Sequence, residues 1–190
     1  MGQQQAQQLY QLLANGAAIP IDQFAKAIGC SLEQTHSILK SWTGVSFDQD
    51  SNIDGFWGLS TSPTLHSFEL NKKTLYTWCA WDLLFMPVLF QQTIIASTTC
   101  PVSNKKVTLT ISPNGIDAVE PEHAMITFLR PSLDQLKANV TQSFCQYVFF
   151  VESEKAGKAW QKDRKDSFLL DLETGFKLGK NIINDVFNKQ

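Results

Sequence analysis

A chain of 190 residues with 43% hydrophobic and 18% charged content is long enough to bury one sizeable core, and too apolar for a disordered protein. Its 16 basic and 18 acidic side chains leave a formal charge of −2 and are spread along the chain. No field exists to hold a polyanion, so bulk nucleic-acid or anionic-membrane binding is not expected.

The start, Met1 to Gln8, has no basic region followed by an apolar one and does not read as a secretion signal. Ala6 stands where a myristoylation signal needs Ser or Thr. The helical pattern of Ala6–Ala14 rests on Leu9, Leu12 and Leu13 and ends at Asn15-Gly16. Asp22 is placed to cap a helix over Gln23–Ile28, Gly29 to take the left-handed turn, and Ser31 to cap a helix over Leu32–Trp42. Val45–Phe47 and Ile53–Trp57, separated by Asp48–Asn52, read as a hairpin. Three helices and a hairpin make residues 1–58 a winged-helix-like module. Its bases, Lys26 and Lys40, face Asp22, Glu33, Asp48, Asp50 and Asp54, a formal net of −3. A DNA reader needs several phosphate-contacting cations, so the module reads as a packing or lid element.

Residues 59–190 read as an α+β core. Thr64–Leu70 alternates as a strand, the segment around Cys79 reads as a helix bent or ended near Pro87, and Gln92–Thr98 is a strand. Lys106–Ser112 is a strand closed by Pro113-Asn114-Gly115, and Ala124–Leu129 is another. Ser132–Val140 reads as a helix, Cys145–Val151 as a strong strand and Glu154–Gln161 as a short helix. An extended piece over Phe168–Leu172 and an amphipathic helix over Gly175–Phe187 close the chain. Strands and helices alternate without βαβ regularity, which points to a mixed, mainly antiparallel sheet with flanking helices. The longest apolar stretch, Leu75–Phe90, contains Asp82 and Pro87 and is too short to span a bilayer, so a cytoplasmic location is expected.

Cys30, Cys79, Cys100 and Cys145 are far apart and form no Cys-x-x-Cys pair, which argues for free thiols and against a disulfide frame or zinc ribbon. His36, His66 and His123 add no close ligand pair, and His66 and His123 read as solvated or hydrogen-bonded. Within Thr74–Pro87, Cys79 and Asp82 stand three residues apart, which on a helix puts both on one face. A soft sulfur ligand and a proton-carrying oxygen would then reach one substrate atom. Burying a carboxylate among Trp78, Trp81 and Phe85 is costly without a purpose, although taken alone a surface carboxylate on an amphipathic helix explains the spacing equally well.

The wider pattern resembles the organomercurial (alkylmercury) lyases. The resemblance is carried by the helical N-terminal module, the Asp50–Gly55 region, Leu75-Tyr-x-Trp-Cys-Ala-x-Asp82, Cys100-Pro101 and Val107–Pro113. It continues through Ala118–Pro121, Gln142–Cys145, Val148–Phe150 and Gly175-Phe-x-Leu-Gly179, in order over roughly residues 6 to 188. It implies cleavage of a carbon–mercury bond by Cys79, Asp82 and Cys145, with both cysteines as mercury ligands and Asp82 as proton shuttle and a third ligand after cleavage. Thiolates suit a soft cation. A lowered cysteine pKa would favour them. A partly apolar wall would let Asp82 hold a proton, to be delivered to the carbon that leaves.

Further implications are an organomercurial substrate, no organic cofactor or resident metal, small cytosolic thiols to bring substrate and carry product, and a mercuric reductase as downstream acceptor. Cys100 reads as structural, Cys30 as a thiol without a role, and Trp78 and Tyr76 as wall or core. Trp81 replaces a smaller aliphatic residue of the family and Met86 departs from an aliphatic or aromatic run, which bears on substrate size. The chemistry requires the two sulfurs to meet at about 5 Å, if each bond to mercury resembles a zinc–sulfur bond. A non-catalytic soft-metal binder built on the same three residues is the rival reading, and a winged-helix regulator the third.

Overall fold

The computed structural model describes residues 2–130, 132, 134 and 143–187. The helix expected over Ser132–Val140 lies outside them, apart from Ser132 and Asp134. Three helices come first: α1 (Gln3–Leu13), α2 (Ile21–Ile28) and α3 (Leu32–Ser41). Gly29 takes φ 67° after α2, and Ser31 accepts from the Gln34 amide in a full capping box. Asp22 is not the cap expected of it. The Pro20 carbonyl receives the amides of Gln23 and Phe24, so α2 starts at Ile21 and Asp22 sits in its first turn, 2.9 Å from Lys26.

Strands β1 (Val45–Phe47), β2 (Ile53–Phe56), β3 (Leu59–Ser60), β4 (Ser67–Leu70), β5 (Lys73–Thr77), β6 (Ile94–Thr99), β7 (Lys106–Ser112) and β8 (Gly115–Glu120) form one eight-stranded sheet, ordered β1-β2-β3-β5-β4-β6-β7-β8. The hairpin read as a wing is therefore the first pair of the main sheet, joined to it where Gly55 and Phe56 pair with Ser60 and Leu59. A second sheet orders β10 (Phe150–Val151), β9 (Met125–Leu129) and β11 (Ser167–Asp171). Every strand pairing among the described residues is antiparallel.

Helix α4 (Ala80–Phe90) is the hub. Its buried residues include Ala80, Leu83, Leu84, Phe85 and Met86, as expected of a helix covered on several sides. It packs on β5, β6 and β7 and on the last helix, α6 (Leu172–Phe187), which follows α5 (Glu154–Gln161). Gly175 and Gly179 allow the close approach, because a Cβ at either would lie 3.1 Å from Leu84 or 3.0 Å from Phe85. Pro87 does not end α4, which continues to Phe90.

Two expectations fail where local pattern is ambiguous. Lys73–Thr77 forms a strand, so Cys79 lies before α4 as its N-cap, in extended backbone (φ −148°, ψ 172°). Cys145 lies in a 3-10 turn, Cys145–Tyr147, and only Phe150–Val151 of the expected strand pairs. Burial of Cys145 and Val148, three residues apart, suits a turn of helix as well as an apolar strand.

Candidate active site

The N-terminus of α4 and the Cys145 turn meet. The Ala80 amide donates to the Val148 carbonyl at 3.2 Å, which ties the two segments by their backbones. Thr127 of β9, fully buried, holds the turn from behind: its hydroxyl lies 3.0 Å from the Tyr147 carbonyl and receives the Phe149 amide at 3.0 Å. Ring contacts add to this. Trp81 meets Phe128 and Phe144 edge-on, at 5.3 and 5.8 Å between centroids, and its indole donates to the Gly175 carbonyl at 2.8 Å. Trp81 thus packs between α4, α6 and the residue before Cys145.

This packing brings together all three residues singled out in the sequence. The sulfurs of Cys79 and Cys145 and a carboxylate oxygen of Asp82 all lie within 4.8 Å of one another, and all three residues are buried. The helical-face argument needs correction in detail, because Cys79 and Asp82 meet through a capping box. The Cys79 amide donates to Asp82 Oδ2 at 2.9 Å, and the Asp82 amide faces the Cys79 sulfur. The Thr77 hydroxyl donates to the Cys79 carbonyl at 2.8 Å and fixes the approach of the chain.

Burial dominates the electrostatics. It raises the Asp82 carboxyl to about 7, against the opposing hydrogen bonds from the Cys79 side chain and amide. The same cause, followed by the hydrogen bond with Cys145 and the Asp82 charge, pushes the Cys79 thiol well above its ordinary value. The shift at Cys79 thus runs opposite to the lowering that would favour a thiolate: a carboxyl able to take a proton near neutrality lies beside a thiol that still holds one. Two close sulfurs and one oxygen form a soft donor set, suited to a thiophilic cation.

Cys100 is buried but stands outside this cluster, its backbone closing the turn to Lys105. Burial raises its pKa, yet hydrogen bonds from the Ser103 side chain and nearby amides outweigh this and leave it below the ordinary value. His66 is buried, with Nδ1 2.9 Å from the Thr98 hydroxyl, and burial lowers its pKa to about 4. His36 and His123 are exposed. Cys30 is half-buried beside Ile28, and Tyr76 and Trp78 are half-buried.

Sequence reasoning missed Gly58, Tyr10 and Thr127. Gly58 lies against the Asp82 carboxyl; the Tyr10 hydroxyl donates to the Trp57 carbonyl at 3.1 Å. Burial first and the Asp82 charge second raise the Tyr10 pKa well above its ordinary value. The one available signal was the pair Trp57-Gly58 between two apolar runs, a possible two-residue hairpin turn.

The alkylmercury lyase family matches residues 59–184. The alkylmercury lyase of Staphylococcus epidermidis is 33% identical over 174 residues, 92% of this chain and 79% of that protein. The alkylmercury lyase of Streptomyces lividans is 30% identical over 172 residues, 90% of this chain and 78% of that one. The fold is similar to that in the crystal structure of the mercury-bound form of MerB2, with a TM-score of 0.77 at 18% identity, covering 93% of this chain and 84% of that one. No described helix is long and apolar enough to cross a membrane. The family match and the relatives' identity along nearly the whole chain agree with the soft donor set of the site, and this chain belongs to the alkylmercury lyase family of carbon–mercury lyases.

Proposed function

We propose that Cys79 and Cys145 ligate the mercury of an alkyl- or arylmercury cation and that Asp82 carries the proton that replaces it on carbon. The observation behind this reading is the convergence of two sulfurs and a carboxylate oxygen within 4.8 Å in a buried site. Mercury arrives as substrate on a small thiol; its bond to one cysteine replaces the bond to that thiol, which leaves as the thiolate, while the cysteine's proton passes to Asp82. The second cysteine binds with release of its proton to solvent. Two thiolates enrich the metal in electron density and weaken its bond to carbon. The electron pair of that bond takes the proton from Asp82, so the products are a hydrocarbon and mercuric ion on two thiolates, with no change of oxidation state. Asp82 then serves as a third ligand. Thiol exchange with small cytoplasmic thiols removes the ion, and a mercuric reductase is a suitable acceptor. The step needs no organic cofactor and no resident metal.

The test is hydrocarbon release from methylmercury and phenylmercury with excess small thiol, followed by gas chromatography. Methane and benzene should form over many turnovers with the parent protein. Cys79→Ala, Cys145→Ala and Asp82→Ala should each lose at least about a hundredfold, the lower range for general acid catalysis alone. Tight mercury uptake by the parent protein without hydrocarbon would refute the assignment and leave a sequestering site.

A further inference from the structure

One side of the triad is closed by a hairpin turn that the donor set does not itself require. Phe56 pairs with Leu59, so Trp57 and Gly58 are the two residues of the β2–β3 turn, and both have positive φ, 41° and 88°. Such turns favour Asn-Gly or Gly-Gly, because left-handed backbone is unfavourable at a bulky side chain. Trp57 is therefore strained, and its indole Nε1 is buried with no hydrogen-bond partner among the described residues. Strain of this kind persists where surrounding bonds over-determine it. Here the Trp57 amide donates to the Gly44 carbonyl at 2.8 Å, the Tyr10 hydroxyl to the Trp57 carbonyl at 3.1 Å, and the Trp78 amide to the Gly58 carbonyl at 2.8 Å.

The turn brings bare backbone onto the carboxyl. A Cβ at Gly58 would lie 2.6 Å from Asp82 Cγ, 2.7 Å from Oδ1 and 2.8 Å from Cβ. Oδ2 is meanwhile tethered to the Cys79 amide at 2.9 Å. With one oxygen tethered and its neighbour covered, the carboxyl is confined to one orientation beside the sulfur.

We propose that Gly58 is a positioning residue for proton delivery, and that Tyr10, acting through the Trp57 carbonyl, sets where Gly58 sits. This rests on the assignment of Asp82 as proton carrier. Helix α1 then reaches the reacting centre without touching substrate. Each sulfur also has a backbone support besides Gly58, Cys79 as the N-cap of α4 and Cys145 in a turn tied to α4 by the Ala80–Val148 bond. Gly58 therefore acts more strongly on cleavage than on mercury capture, which rests chiefly on the two thiolates.

Two variants test this in the full chain. Gly58→Ala adds one carbon against Asp82, and Tyr10→Phe removes the hydroxyl while keeping the ring that packs on Phe56, Phe90 and Phe187. Mercuric ion is titrated onto each protein by the ultraviolet absorbance of its two-thiolate complex, and methane release from methylmercury is measured for kcat and KM. The expected result is retained mercuric-ion binding, with kcat lowered far more than mercury affinity or KM changes. The drop should be on the order of a hundredfold for Gly58→Ala, the effect of misplacing a reacting group by about 1 Å, and smaller but measurable for Tyr10→Phe. Parallel loss of mercury capture and turnover would indicate a purely structural role and overturn the proposal. So would a parental kcat in folded Gly58→Ala. If Gly58→Ala does not fold, Tyr10→Phe decides, and an unchanged kcat there overturns the proposal. Absence of methane from the parent protein would instead remove the underlying function.

Discussion

Asp82 is held where its charge is disfavoured, and folding stability must respond. Its carboxyl is raised from 3.8 to about 7 in the folded chain, chiefly by burial. The folded protein therefore keeps a proton that the unfolded chain gives up between about pH 4 and 7. Stability from this group is complete below the unfolded pKa and is lost as pH rises through about 7. Asp82→Asn keeps a neutral side chain of similar shape and removes that loss. Melting curves should show little difference from the parent at pH 4 and a higher Tm for Asp82→Asn at pH 8, alongside abolished methane release. An equal or lower Tm at pH 8 would mean that the carboxylate is compensated by bonds to Cys79. The Cys79–Asp82 pair was legible in the sequence because a capping box is local, and its spacing survives the change from helical face to N-cap. The direction of the Cys79 pKa was not, because it depends on burial by segments distant in sequence.

At the scale of elements, the convergence of Cys79, Asp82 and Cys145 depends on α4 and the Cys145 turn being locked together. Thr127 supplies much of the lock, with hydrogen bonds to both sides of Val148. Thr127→Val keeps the shape and leaves the Phe149 amide without its bond to this hydroxyl. A loss of about 1–3 kcal/mol in urea unfolding is expected, the cost of a buried group left unsatisfied. Mercuric ion should also bind less tightly, since Cys145 rides on the loosened turn; unchanged affinity would show that the Ala80–Val148 bond suffices. The caps at Gly29 and Ser31, the helix Glu154–Gln161 and the strand Lys106–Ser112 were readable because residue type and short-range periodicity dictate them. Strand β8 was missed: none of its residues is fully buried, so it carries no strong apolar alternation, and pairing with β7 is what makes it a strand. The turn at Cys145 was misread for the opposite reason, an apolar run that fits a buried strand equally well.

For the whole molecule, one apolar cluster runs from Ala6, Leu9 and Tyr10 of α1 through Phe56 and α4 to Phe176 and Ile183 of α6. Residues 1–58 and 59–190 share it, and the main sheet runs from one to the other through β2 and β3. A single urea transition, superimposable by tryptophan fluorescence and far-ultraviolet circular dichroism, is expected of such a unit. Two separated transitions would show modules that fold independently.

Composition and caps bounded the fold, and the resemblance of an ordered series of short motifs to the alkylmercury lyases named the class and Cys79, Asp82 and Cys145, because such motifs depend on residue identity and near neighbours. The meeting of Cys145 with a pair 66 residues earlier in the chain, the latch at Thr127 and the turn of Gly58 against Asp82 were decided only by the tertiary structure. Such contacts follow from strand order and packing between distant segments, which no local spacing specifies.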